Sequence, residues 1–254
     1  MSNPTIEMIH QHGSVRQYKT DPLPREMVET IVEAGQRAAT SSNLQMFSVV
    51  ALTDHEKRAQ MQTYCGGQKH ISQAPVFLTW VADLSRLERI CEARGYTQQA
   101  GMVENFLLAA VDAAIAAQNA GLAAESLGLG FCYIGAIRNN PREVIQLLNL
   151  PRLTFPLVGM TLGWPVKAPV IRPRLPLDAI LHWETYDPKD EEEHLKKYDQ
   201  EMIDSGIYRG RQVTAADPIP ANQYGWTEHT ARRAAQVVRP HLREVLIEMG
   251  FELK

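Results

Sequence analysis

Cysteine is scarce in this chain of 254 residues, and long hydrophobic runs are missing from it. The three cysteines, Cys65, Cys91 and Cys132, are odd in number and widely spaced, which argues against a disulfide framework or a zinc site. No window approaches about 18 uninterrupted apolar residues, and the N-terminus lacks the basic and apolar regions of a signal peptide. These absences predict a soluble, unexported protein in a reducing cytoplasm.

A large excess of charge of one sign is also missing. The formal net charge is −3 at pH 7 and the sequence pI is about 6.2, so no global basic field would hold a nucleic acid or an anionic membrane. We therefore expect neither as a partner. The chain contains no GxxxxGK(S/T) phosphate loop and no GxSxG nucleophile elbow. Its histidine pairs and acidic clusters lack the spacing of a metal site.

Hydrophobic residues make up 44% of the sequence, enough for a sizeable core. Short runs rich in β-branched and aromatic residues predict strands at 47–52, 74–82, 131–136 and 155–164. Apolar periodicity predicts helices at 22–39, 100–127, 141–150 and 226–250, and a polar helix that ends near residue 207. The predicted fold class is α+β, with one domain over residues 1–254. Residues 165–254 form its C-terminal excursion: a proline-rich arm, a loop-rich stretch at 210–225 and the final helix.

The predicted helix at 100–127 has apolar residues on more than one stripe. At ~1.5 Å per residue it would be roughly 40 Å long, too polar for a membrane and too apolar for a surface helix. Its many alanines would let another backbone approach closely. Two interpretations stay open at this point: a central helix shared across a dimer, and the core helix of a monomer.

The closely spaced glycines of LGLGFCYIG (127–135) suggest a dinucleotide-binding fingerprint, but their context is wrong for one. A Rossmann fingerprint follows a strand and opens a helix, whereas these glycines follow a helix and precede a strand. We therefore predict that Gly128 and Gly130 terminate the long helix.

Two short segments carry cations or hydroxyls at alternate positions. HGSVR contains His12, Ser14 and Arg16, and RPRLP contains Arg172 and Arg174 around a stiffening proline. Alternate residues of an extended segment point the same way, which suits the binding of a phosphate. Each segment by itself is also compatible with ordinary surface charge, so the hypothesis needs the fold to bring the two together.

Six motifs are similar, in order and approximate spacing, to those of the oxygen-insensitive nitroreductases and flavin reductases: HGSVRQY, SSNLQ, GGQKH, AAESLGLGFCYIGAIRNNP, LGWPV and RPRLP. Over nearly its whole length the chain resembles the NADPH-preferring subgroup of this nitroreductase family. The resemblance implies an antiparallel sheet flanked by helices, in a domain-exchanged homodimer with FMN at each of two subunit interfaces. It also implies transfer of hydride from NADPH to nitroaromatic compounds, quinones or free flavin.

The same resemblance implies which residues contact the flavin. The family's usual HRSIR motif corresponds to residues 12–16, with Gly13 in place of a cationic arginine. Its YIGG motif corresponds to residues 133–136, with Ala136 in place of the second glycine, and its flavin-approaching turn from the partner subunit corresponds to residues 40–41. The implied FMN contacts are His12, Gly13, Ser14, Arg16, Thr40, Ser41, Gln68, Tyr133, Ile134, Gly135, Ala136, Arg172 and Arg174.

A second implied set faces NADPH and the electron acceptor. Arg209 lies eleven residues after Tyr198, as the family's arginine for the NADPH 2′-phosphate lies after its tyrosine. Arg239 matches a substrate-facing arginine, and Asn43 stands where relatives often carry an apolar or aromatic residue. The implied contacts are Ser42, Asn43, Arg209, Arg211 and Arg239.

The implied chemistry belongs to the flavin, so no side chain is expected to act as nucleophile or obligate base, and no catalytic residue is assigned. Arg16 is the cation expected near N1 and O2 of the ring, where reduction leaves negative charge. NADP⁺ must leave before the acceptor stacks on the same flavin face, which predicts ping-pong kinetics. Two alternatives stay open: a dehalogenating or flavin-destroying relative, and a flavin-binding protein without turnover.

Overall fold

The computed structural model describes residues 2–214 and 219–254, so residues 215–218 of the predicted loop-rich stretch lie outside the described residues. The chain divides into two units, Met1–Val170 with Arg239–Lys254, and Ile171–Val238. The first boundary lies within the arm predicted from residue 165. That this arm wraps a partner subunit stays a prediction.

Over the described residues, four strands of the larger unit form an antiparallel sheet in the order β1-β2-β4-β3. The strands are β1 (Phe47–Leu52), β2 (Val76–Asp83), β3 (Gly130–Ile134) and β4 (Thr154–Gly163). The four predicted strands are confirmed, but the one predicted at 131–136 ends at Ile134 because Gly135–Arg138 turns into a 3₁₀ helix. β2 is an interior strand and is buried along its whole length, which explains its continuous apolar sequence.

Helices flank this sheet and also build the smaller unit. They are α1 (Pro4–His10), α2 (Arg25–Gln36), α3 (His55–Tyr64), α4 (His70–Gln73), α5 (Ser85–Ala93), α6 (Val103–Ser126), α7 (Pro141–Leu148), α8 (Glu191–Asp204), α9 (Trp226–Ala234) and α10 (Leu242–Glu248). The predictions of α2, α6, α7 and the polar helix α8 are confirmed. The helices α1, α3, α4 and α5 were not predicted from the sequence.

The long helix α6 packs against α2 and the sheet with a face made mainly of small residues. Eight of its residues are buried, and six of these are alanines. Contact with α2 is so close that a Cβ added at Gly35 would lie 2.9 Å from the backbone oxygen of Ala116. On the other side of α6, large apolar side chains are exposed at four-residue intervals, at Val103, Leu107, Val111 and Ile115. These side chains of α6 would be buried only if a further protein surface covered them.

By length and apolar composition, α6 could also cross a membrane. The core helix of a soluble protein passes the same test, so this is weak evidence for a span. The buried face of α6 includes Asp112, whose side chain is used inside the fold. The contacts of α6 with α2 and β2 are those of a core helix.

The prediction of one helix over 226–250 is wrong. α9 ends at Ala234 and α10 begins at Leu242. Pro240 cannot donate a helical hydrogen bond and disfavours the helical conformation of the residue before it. Arg239 has a φ of 53°, which also lies outside the right-handed helical region. The prediction that Gly130 terminates the long helix is also wrong. Gly130 opens β3, and a Cβ there would collide with Val15.

In the smaller unit, α8 and α9 pack through a polar contact and an aromatic one. The backbone N–H of Thr227 donates to Asp199 Oδ1 at 2.7 Å, and the rings of Tyr198 and Trp226 meet edge to face at 5.5 Å. Before α8, the arm leaves large side chains exposed, among them Trp183 with 79% of its surface accessible.

Candidate functional site

The segment at residues 12–16 lies beside the sheet as an extended strand-like run. The backbone N–H of Val15 donates to the carbonyl of Phe131 in β3 at 2.9 Å. Gly13 and Val15 are buried, whereas Ser14 and Arg16 are exposed. A Cβ at Gly13 would lie 2.8 Å from the side chain of Pro169, so an arginine at this position would require the neighbouring chain to move. The alternation predicted from the sequence therefore directs Ser14 and Arg16 to one side.

His12 and Tyr133 are brought together on either side of Phe131. The His12 ring lies 5.0 Å from the Phe131 ring, and Tyr133 meets Phe131 edge to face at 5.4 Å. Two residues of α6 hold them: His12 Nδ1 lies 2.6 Å from Glu125 Oε1, and Tyr133 Oη donates to Gln118 Oε1 at 3.3 Å. The end of α6 thus supports two of the residues implied in flavin binding.

Arg16 lies close to the glycine turn that precedes α4. Gly66 and Gly67 both have positive φ, of 77° and 73°, and Gln68 Nε2 donates to the Cys65 carbonyl at 2.9 Å. Burial and the nearby positive charge of Arg16 lower the pKa of His70, at the start of α4. Within residues 2–214 and 219–254, no carboxylate lies within ion-pair distance of Arg16, so its guanidinium is available to an anion.

A second group of cations lies around the 3₁₀ turn that follows β3. Arg239 Nε donates to Asn139 Oδ1 at 2.8 Å. Burial and the positive charge of Arg239 lower the pKa of Arg138. A Cβ at Gly66 would lie 3.5 Å from Asn139 Nδ2, so this group borders the glycine turn. Arg239, predicted to face the substrate, therefore lies near the turn that carries Gln68.

The turn at residues 40–46 is held by one buried carboxylate of α6. Asp112, with 1% of its surface accessible, accepts from the Ser41 N–H at 2.9 Å and the Met46 N–H at 3.1 Å. Between these two anchors the backbone has positive φ at three non-glycine residues: Ser42, Asn43 and Gln45. Side chains of the turn are exposed at Ser42 and Asn43. Among the described residues, no hydrogen bond links this turn to the segment at 12–16.

The remaining predicted cations belong to the smaller unit. Arg172 and Arg174 are both exposed, on either side of Pro173. Tyr198 Oη donates to the Pro173 carbonyl at 3.3 Å, which fixes this short run against α8. Arg209 and Arg211 follow α8 and are exposed. The Arg209 side chain lies over Gly206, where an added Cβ would be 3.1 Å from Arg209 Nε.

Three supporting residues were not predicted from the sequence: Glu125, Asp112 and Asn139. Glu125 lies in the AAESLGLG stretch and seven residues after Gln118, so a helical period would have placed both on one face. Nothing local indicates what that face supports, because His12 and Glu125 are 113 residues apart.

Comparison with known proteins gives matches over the whole chain. A family model described as the nitroreductase family matches residues 9–164, and one described as the nitroreductase family, C-terminal domain, matches residues 172–254. The oxygen-insensitive NADPH nitroreductase of Salmonella typhimurium is 38% identical over 249 residues, covering 98% of each chain. The NAD(P)H-dependent FMN reductase of Bacillus subtilis is 36% identical over 255 residues, covering 99% of each. The structure of the NADPH:FMN oxidoreductase of Vibrio harveyi in complex with NAD⁺ is similar with a TM-score of 0.87 at 35% identity, covering 99% of this chain and 100% of that one.

Proposed function

Because this chain belongs to the nitroreductase family, we propose that it reduces nitroaromatic compounds, quinones or free flavin by a ping-pong mechanism. It is an oxidoreductase, and its cofactors are FMN and NADPH. The observation that carries the proposal is that His12 and Tyr133 both pack against Phe131 of β3, beside the segment that carries Arg16. The Arg16 guanidinium has no carboxylate within ion-pair distance among the described residues.

The residues of the larger unit fit FMN by their chemistry. The Arg16 guanidinium, which has no carboxylate within ion-pair distance among the described residues, suits the negative charge of a reduced flavin ring. The neighbouring Ser14 hydroxyl, amide groups and imidazole suit the ribityl chain and the polar edge of the ring. Gly67 leaves open space beside Gln68, since no atom of the described residues would lie within 4 Å of a Cβ added there. When bound, FMN accepts hydride from NADPH and passes it to the acceptor.

Each protein group has a proposed task. Ser14 and Arg16 bind the flavin from one side of their extended segment, and Arg16 places a positive charge beside it. Gln68 donates or accepts at the polar atoms of the flavin. Arg172 and Arg174 clamp the phosphate, because guanidinium forks bind phosphate oxygens in pairs. The remaining predicted flavin contacts, Thr40, Ser41 and residues 134–136, line the same site in this proposal.

We propose a homodimer as the active form. The exposed apolar stripe of α6, at Val103, Leu107, Val111 and Ile115, is a face that a second copy would cover. The turn at 40–46 makes no hydrogen bond to the 12–16 segment of its own chain among the described residues. In the proposal, this turn and the C-terminal excursion of residues 165–254 therefore reach the flavin site of the partner. Residence in the cytoplasm is part of the same proposal.

NADPH and acceptor are proposed to occupy the same flavin face in turn, near Ser42 and Asn43. Arg209, helped by Arg211, binds the 2′-phosphate of NADPH, and Arg239 faces the acceptor. If so, Arg209→Ala raises the KM for NADPH with little change in kcat, because a contact remote from the reacting atoms contributes mainly to binding. The matched control is Arg233→Ala, which removes an exposed arginine of the same unit. An unchanged KM for NADPH in Arg209→Ala would refute the assignment.

The first experiment is a visible spectrum of the purified protein with FMN, before and after NADPH is added without oxygen. We expect the yellow colour to bleach and to return when menadione or nitrofurazone is added. Initial rates at several fixed acceptor concentrations should give parallel double-reciprocal lines. A protein that binds FMN but is not bleached by NADPH would contradict the function, and intersecting lines would contradict the ping-pong mechanism.

A second experiment tests the phosphate clamp. The double variant Arg172→Ala, Arg174→Ala should be folded but should retain little FMN after gel filtration. The control is Arg25→Ala, Arg37→Ala, which removes two exposed arginines of the larger unit. If the first variant kept its full flavin content, the two arginines would not belong to the site.

A further inference from the structure

Glu125 lies at the last turn of α6 and has no role in the chemistry described so far. Its carboxylate is mostly buried, with 14% of the side-chain surface accessible, and its Oε1 lies 2.6 Å from His12 Nδ1. Its other oxygen, Oε2, is buried and has no hydrogen-bond partner among the described residues. His12 is the one described residue within ion-pair distance of Glu125. Among the described residues, the Glu125 carboxylate therefore has His12 as its one hydrogen-bond partner.

Among the described residues, no cation other than His12 lies within ion-pair distance of Glu125. Behind the carboxylate lies a cavity of about 190 Å³, lined mainly by apolar or backbone groups such as Met8, Val15 and Pro165. Phe131 packs against the His12 ring, with the ring centroids 5.0 Å apart. The ring is thus held both by its Nδ1 edge and by its face.

The two nitrogens of an imidazole lie on different edges of the ring, and an ionised carboxylate can only accept hydrogen bonds. A Glu125 carboxylate at Nδ1 therefore requires that Nδ1 carry the hydrogen, and it leaves Nε2 as the nitrogen that faces away from α6. We propose that Glu125 is a positioning residue, which fixes the hydrogen on His12 Nδ1 and thereby presents His12 Nε2 to the FMN. This inference rests on the proposed flavin site, because it needs His12 to contact the cofactor.

The Glu125 carboxylate also acts on a second residue of the proposed flavin site, Tyr133. Burial, and then the negative charge of Glu125, raise the pKa of Tyr133 above its usual range. Gln118, two helical turns before Glu125, accepts the Tyr133 hydroxyl hydrogen. One face of α6 therefore orients two side chains of the proposed flavin site, in the way that outer hydrogen-bond partners orient the groups that touch a ligand.

The test is a double-mutant cycle in which FMN affinity is measured by quenching of flavin fluorescence as apoprotein is titrated. Glu125→Gln keeps the shape but allows the amide to donate as well as accept. His12→Asn keeps a donor where Nδ1 lies but removes Nε2. We expect each single variant to weaken FMN binding roughly tenfold, the loss of one hydrogen bond. The double variant should bind no more weakly than His12→Asn alone.

The control is Glu104→Gln, an exposed carboxylate on the same helix, which should leave FMN affinity unchanged. If His12→Asn weakens binding but Glu125→Gln does not, the inference is wrong and the proposed function stands. If Glu125→Gln has its full effect in the His12→Asn background, Glu125 acts independently of His12, and the inference is again wrong. If His12→Asn has no effect, both the placement of His12 in the flavin site and the inference fail.

A second measurement reads the position of the hydrogen on the His12 ring directly. In wild-type holoenzyme labelled with ¹⁵N-histidine, the long-range ¹H–¹⁵N spectrum distinguishes a ring nitrogen that carries hydrogen from one that does not. We expect His12 Nδ1 to carry hydrogen, with its signals identified by their loss in His12→Asn. If His12 Nδ1 carries no hydrogen in the wild-type protein, the inference is wrong. The inference is also wrong if Glu125→Gln lowers the urea midpoint but leaves the His12 ring signals unchanged, because Glu125 would then have only a structural role.

Discussion

Removing the Asp112 carboxylate is expected to destabilise the protein and release the turn at residues 40–46. This carboxylate lies on α6 and accepts one hydrogen bond at each end of the turn, from Ser41 N and Met46 N. Met46 is fully buried, so its N–H has no access to water once the carboxylate is gone. The turn also includes Ser42, in an uncommon backbone conformation that the anchors must maintain.

The magnitude follows from the number of bonds lost. A hydrogen bond to a charged group contributes about 1.5–3 kcal/mol, and a buried donor left without a partner adds its own penalty. Asp112→Ala loses two such bonds at 2.9 and 3.1 Å, so we expect the free energy of unfolding to fall by about 3–6 kcal/mol. Asp112→Asn keeps one accepting oxygen and turns an amide N–H₂ toward the other donor, so about 2–3 kcal/mol is expected.

The assay is urea unfolding followed by circular dichroism at one fixed protein concentration, since association would make stability depend on concentration. Glu104→Gln, exposed on the same helix, is the control and should change the free energy of unfolding by less than about 0.5 kcal/mol. An Asp112→Ala protein within about 1 kcal/mol of wild type would refute the reasoning. A second readout is FMN affinity. If this turn lines the flavin site, FMN affinity should fall in Asp112→Ala because Ser41 and Ser42 lose their fixed conformation.

Three further predictions concern the packing and ionisation of the larger unit. Gly35→Ala places a methyl group 2.9 Å from the Ala116 carbonyl oxygen, so the urea midpoint should fall by the equivalent of about 1–3 kcal/mol; an unchanged midpoint would mean that α2 and α6 separate easily. Burial raises the pKa of Asp83, but hydrogen bonds from two serines and the charge of an arginine outweigh it, so its pKa is lowered overall. The ionised form therefore stabilises the fold above the usual aspartate pKa of about 4, and this stability is lost as the pH falls through the lowered value; Asp83→Asn should flatten the acid side of the stability profile, and a profile identical to that of wild type would count against the assignment. Burial raises the pKa of Cys65 to about 12, so the native protein should react with a thiol reagent at Cys91, which is partly exposed, and Cys65 should react only after unfolding; mass spectrometry of the labelled peptides would show the reverse if this is wrong.

Much of the fold could be predicted because its elements have local causes. The run at β2 is apolar throughout and rich in β-branched and aromatic residues, and it is a buried interior strand. The helix α2 follows from an apolar period after two prolines. The short helix α3 could not be found in this way, because an N-cap and packing define it: Asp54 Oδ1 accepts from the Lys57 N–H at 2.8 Å.

The errors near the C-terminus have the opposite origin. The segment at 226–250 has helical composition on both sides of Pro240, and this composition predicts one continuous helix. The single proline breaks the segment into two helices. Gly130 was assigned to the helix end because it follows Gly128 so closely. Its actual role is a close approach between β3 and Val15, a contact between segments more than a hundred residues apart.

The amino-acid sequence by itself determined the local geometry and the family of this protein. Alternation along an extended backbone directs Ser14 and Arg16 to one side, and the order of the motifs identifies an FMN- and NADPH-dependent enzyme. Only the tertiary structure decided which side chains support them: Glu125 at His12, and Asp112 at both ends of the turn at 40–46. The physical reason is that hydrogen bonds act over about 3 Å, so partners 66 to 113 residues apart are chosen by the path of the chain around its core.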